Sequence, residues 1–74
     1  MTEHPGPKLL AMRRRAHLSQ PVAAHASGIS RSQLSRIEHG HHWPRGSTLR
    51  RLIVCYGTHI RSLEAIAPQW KGTD

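Results

Sequence analysis

"SQPVAAHASGISRSQLSRIEHG", residues 19–40, sets two short segments of helical character around one glycine, each opened by a serine. Ser19 is a good N-cap, and Pro21 falls in the first turn behind it, where a missing N–H costs nothing because it would have had no partner. Gly28 follows that segment where a left-handed closing turn favours glycine. Ser30 then opens a second helix by accepting from the Gln33 amide, and Gly40 stops it after His39. Two helices joined this tightly form a helix-turn-helix. The spacing predicts one short helix behind Ser19 and another over residues 31–39.

The second of these helices decides what the pair is for. At about 100° per residue, Leu34, Ile37 and the Ser30/Arg31 end share one side, while Ser32, Ser35, Arg36 and His39 project from the other. A helix that buries a narrow Leu/Ile stripe and offers short hydroxyls with arginines fits the DNA major groove. That groove admits a helix and presents guanine O6 and N7 to a bidentate guanidinium. An ordinary solvated helix face is the alternative that amphipathicity alone leaves open.

Outward from this centre the apolar spacing stays helical. Leu9, Met12 and Ala16 recur at three- and four-residue intervals and predict a first helix that ends before Leu18. Beyond the loop "HHWPRG", Ser47 or Thr48 is expected to cap a fourth helix running through Tyr56 and ended by Gly57. Ile60 to Ala67 then form a fifth, before Pro68. Residues 1–7 read as a flexible tail, 8–67 as one DNA-binding domain and 68–74 as a C-terminal tail.

Composition agrees with a polyanionic partner. The 74 residues carry eleven Lys and Arg against four Asp and Glu, a formal charge of +7, which steers a small protein toward nucleic acid. The longest apolar run, Leu52 to Tyr56, is too short to span a bilayer, so no membrane partner is expected. A single cysteine, Cys55, and no export signal point to the cytoplasm.

The segment from Leu18 to Gly40 resembles the Cro/lambda-repressor-type (XRE) helix-turn-helix family. Leu18-Ser19-Gln20, Gly28-Ile29-Ser30 and Ile37-Glu38-His39-Gly40 match its pattern in order and spacing. Pro44 and the run from Thr48 to Gly57 look like its loop proline and fourth helix, so the resemblance covers roughly residues 9–66. It implies an all-α, compact five-helix lambda-repressor-like domain that binds double-stranded DNA. Carried over residue by residue, it implies base contacts from Arg31, Ser32 and Arg36, with Gln33 as a supplement. It implies phosphate contacts from Gln20, Ser30, Ser35, His39 and Arg45. Arg13 and Glu38 match a pair that joins the first and third helices as a salt bridge, and Leu63, Ile66 and Trp70 fall where the family pairs two copies. Two positions depart from the pattern. Ala23 and Gly46 stand where larger apolar residues are usual, and Val22 or Trp43 is the expected filler.

Other chemistry is weakly signalled. His39, His41 and His42, with His17 and His25 elsewhere, have no cysteine or carboxylate at ligand spacing, so no metal is assigned and no cofactor is expected. Cys55 lies within an apolar run and reads as a packed thiol. No paired carboxylates, phosphate loop or nucleophile triad stands out, so the chain is not read as an enzyme. The function expected is sequence-specific transcriptional regulation by a small homodimeric repressor on a near-palindromic operator, of phage, plasmid or mobile-element type. The alternatives are an antitoxin that binds a partner protein and its own promoter, and a controller protein of a restriction-modification system.

Overall fold

A computed structural model describes the backbone of residues 3–71 and the side chains of residues 3–65. Helices α1 (Gly6–Arg15), α2 (Gln20–Ala26), α3 (Arg31–Glu38) and α4 (Gly46–Lys71) follow one another. Among the described residues there is no strand. α2 packs on α3, α1 packs on α3 and α4, and α2 also touches α4.

The central pair forms as its residues dictate. Ser19 Oγ accepts from the Val22 amide and Ser30 Oγ accepts from the Gln33 amide at 3.0 Å, so both helices start on side-chain caps. Both end alike. Gly28 (φ +73°) and Gly40 (φ +78°) take the left-handed conformation, and the next amides, of Ile29 and His41, reach back to the carbonyls of Ala24 and Arg36. α1 closes by the same pattern, with the Leu18 amide on the Arg13 carbonyl, but there the left-handed residue is His17 at φ 56°.

Close approach fixes the start of α1. A Cβ on Gly6 would collide with the Ile37 carbonyl oxygen, so only glycine lets this helix begin against the C-terminal carbonyls of α3. The Gly6 amide donates to His4 Nδ1 at 2.9 Å. His4 Nε2 therefore carries the proton, and it donates to the His42 carbonyl at 3.0 Å. The His4 ring also meets Trp43, centroids 4.6 Å apart, tying the chain's first described residues to the α3–α4 loop. α1 thus begins two residues inside the stretch read as a tail.

The fourth and fifth helices expected from the sequence are one. α4 starts at Gly46, with the Arg45 carbonyl accepting from the Leu49 amide, and neither Ser47 nor Thr48 is its N-cap. It runs through Gly57 and past Pro68. Leu52, Tyr56 and Ile60 form a buried stripe at four-residue spacing across that glycine. Burying such side chains stabilises by roughly 1.5–3 kcal/mol each, against about 1 kcal/mol for a mid-helix glycine, so the helix continues.

Leu9, Ala16, Ala23, Ala24, Leu34, Ile37, Leu52, Tyr56 and Ile60 make the core, with Met12, Leu18, Ile29, Leu49 and Cys55 packed against it. Neither expected filler enters it, for Val22 and Trp43 are each 54% exposed. Trp43 is held on the loop by His4, and Ala23 is fully buried within the core without either filler. Gly46 is exposed at the first position of its helix and faces no core.

Candidate nucleic-acid interface

α3 buries Leu34 and Ile37 completely and leaves Ser32, Arg36 and His39 exposed, as its amphipathic pattern requires. Arg31 is exposed as well, although the helical wheel groups it with Leu34. It occupies the first turn, where no preceding turn covers its side chain.

Two grooves flank this helix. One, of about 590 Å³, is lined by Gln20, Arg31, Ser32, Ser35 and Arg36. The other, of about 560 Å³, is walled by the α2–α3 turn (Gly28, Ile29, Ser30), by Gln33 and Arg36, by His42 and Arg45 of the loop, and by Ser47, Thr48 and Arg51 of α4. Arg36 belongs to both and so stands on the ridge between them. Every base-contact residue named from the sequence lines one groove or the other, as do Gln20, Ser30, Ser35 and Arg45. His39 is at the C-cap of α3, its Nδ1–H donating to the Ser35 carbonyl at 2.8 Å.

A buried ion pair holds this surface in place. Arg13 Nε donates to Glu38 Oε2 at 2.6 Å and Nη2 donates to Oε1 at 3.2 Å, while Nη1 donates to the Leu18 carbonyl at 2.9 Å. Gln20 Nε2 gives Glu38 Oε1 a further hydrogen bond at 2.8 Å. The side chain read as a phosphate contact therefore has an internal partner, and it joins the start of α2 to the end of α3. Tyr56 is buried nearby in charge terms. Its hydroxyl has no hydrogen-bond partner, and burial, reinforced by the negative charge of Glu38, pushes its pKa well above the ordinary phenol value.

Two caps, a left-handed glycine between them, and a basic exposed face on the second helix are the geometry of a helix-turn-helix. The family model described as "helix-turn-helix domain" matches residues 6–65, most of the chain. The chain belongs to the helix-turn-helix domain family. Searches among curated proteins and among solved structures return no match. Family membership and the basic face make this helix-turn-helix domain a DNA-binding one, in keeping with the resemblance to the XRE type.

Arg51, His42, Ser47 and Thr48 of the helix-turn-helix domain were not singled out from the sequence as groove residues. The spacing held a signal, since Arg51 follows Ser47 and Thr48 by four and three residues and so shares their side of α4. Of the three residues expected at a dimer interface, Leu63 is half-buried, and the side chains of Ile66 and Trp70 lie outside the described residues. Among the described residues no group of three or more His, Cys, Asp or Glu side chains comes together, and no helix is long and apolar enough to cross a membrane.

Proposed function

We propose that the chain is a sequence-specific double-stranded DNA-binding regulator of transcription, acting as a small homodimeric repressor. The observation that supports this best is the convergence of Arg31, Ser32, Ser35 and Arg36 on the outer face of α3, beside a groove that Gln20 completes. In this reading α3 enters the major groove. Arg31 and Arg36 discriminate base pairs, each good bidentate contact contributing about 1–3 kcal/mol, and Ser32 and Gln33 add to them. Ser30, Ser35, His39 and Arg45 take phosphate charge and set the register. Gln20 sets the angle between α2 and α3 through Glu38, and its own backbone amide is the one donor left at the start of α2 for phosphate.

The test is a fluorescence-anisotropy titration at about 150 mM salt of the gene's own upstream duplex against a scrambled one, repeated with Arg36→Ala. The reading expects the upstream duplex to bind at least ~10³-fold tighter and the variant to lose that preference. Equal, weak binding of both duplexes overturns it.

One observation favours a protein partner in addition. Ile53 and Val54 are 46% and 58% exposed and form with Leu49 an apolar strip of α4, in a groove that Ser47, Thr48 and Arg51 do not line. An antitoxin that holds a partner protein on this strip and DNA on α3 fits that arrangement. Co-purification of a small partner expressed from the neighbouring gene, lost on Ile53→Ser, separates this reading from a bare repressor.

A further inference from the structure

Arg36, Arg45 and Arg51 come from three different elements, α3, the α3–α4 loop and α4, and line one groove. Among the described residues the ion pairs are Arg13–Glu38 and Arg15–Glu64, so none of these three guanidinium groups has a carboxylate partner. Three unneutralised cations in one concavity repel one another, and the arrangement costs energy until an anion enters. Arg51 is the least expected of them. It lies in the second turn of α4, yet its Nη1 comes so close to the α2–α3 turn that a Cβ on Gly28 would sit 3.4 Å from it. The guanidinium thus lies within van der Waals reach of the α2–α3 turn, at the edge of the helix-turn-helix.

We propose that Arg51 is a DNA-phosphate contact, forming with Arg45 a cradle for one phosphodiester of the strand that passes the α2–α3 turn. The assignment rests on the DNA-binding reading. It makes the helix-turn-helix clamp three-sided, with α4 contributing a side chain beyond its first turn. Arg36 stands between this cradle and the groove of Arg31 and Ser32, so a phosphate held by Arg45 and Arg51 leaves Arg36 to the bases.

Arg50 supplies the control. It carries the same charge one residue away and shares a groove of Ala26 and Val54 with Arg51, but it does not line the groove of Arg36 and Arg45. Binding of wild type, Arg51→Gln and Arg50→Gln to a fluorescent duplex of arbitrary sequence is measured over a series of salt concentrations. Each phosphate neutralised contributes about 0.9 to the slope of log K against log salt. Arg51→Gln is expected to lower that slope by about 0.9 and Arg50→Gln to leave it unchanged, with the thermal midpoint of both variants at the wild-type value. Equal slopes for the two variants overturn the assignment while leaving the DNA reading intact. A wild-type protein that binds no duplex at low salt overturns both.

Discussion

Arg13 and Glu38 meet side-on, two guanidinium nitrogens against two carboxylate oxygens, with the Glu38 side chain 1% exposed and that of Arg13 14% exposed. The pair joins the helix that precedes the DNA-binding motif to the last turn of the helix that carries it. Removing one member leaves the other charge buried without a counterion, which costs about 3–5 kcal/mol, a large share of what a domain this small has to lose. Glu38→Ala is therefore expected to unfold the domain or to lower its thermal midpoint by more than about 12 °C. Circular dichroism melting checks it, and an unchanged midpoint contradicts it. The exposed Arg15–Glu64 pair, at 3.2 Å, is worth little by comparison, and Glu64→Ala is expected to shift the midpoint by no more than a few degrees.

His17 occupies a left-handed position that a side chain tolerates poorly. Glycine there removes a conformational cost of roughly 1 kcal/mol without touching the core, because His17 is exposed. His17→Gly is expected to raise the thermal midpoint by about 4–8 °C. A lower midpoint than wild type would show that the His17 side chain makes a compensating contact.

Gly57 is the converse. It sits in the interior of α4, and a Cβ there would meet nothing within 4 Å. Gly57→Ala is expected to stabilise the protein by roughly 0.5–1 kcal/mol, read as a shift in the denaturant midpoint at constant slope.

Tyr56 couples stability to alkaline pH. Its hydroxyl is buried without a partner, and its folded-state pKa lies above the ordinary 10.0. The folded protein keeps this proton where the unfolded chain gives it up. The stability it contributes is complete below about pH 10 and falls as the pH rises through the folded value. Tyr56→Phe is expected to leave stability unchanged or raised by about 1 kcal/mol at pH 7. It should also flatten the loss of stability above pH 10. Parallel curves for the two proteins in that range would refute the assignment.

How far the sequence discloses this molecule depends on whether each signal is local. The caps at Ser19 and Ser30 and the glycines at 28 and 40 act within a turn of themselves, and α2 and α3 form where they say. The end of α1 carries no glycine, so nothing local announces that His17 takes the left-handed turn. Gly57 misleads in the opposite way, because what overrides it is a buried stripe assembled only when α4 packs on α1 and α2. On the DNA-facing side, residues of α3 are readable from periodicity. The hydrogen bond of Gln20 to Glu38, and the approach of Arg51 to Gly28, arise between segments far apart in sequence and appear only with the fold.

The unbroken α4 is also a lever. Its 26 residues, at about 1.5 Å each, make a rod of about 39 Å with the groove of Arg36, Arg45 and Arg51 at one end. A flexible joint at Gly57 would have let the distal half swivel independently of α3. Without one, torque applied at the distal end reaches α3. For two copies joined at that end, the rod turns the distance between recognition helices into a fixed gauge. An operator with one base pair too many between its half-sites would then be mismatched in both distance and phase.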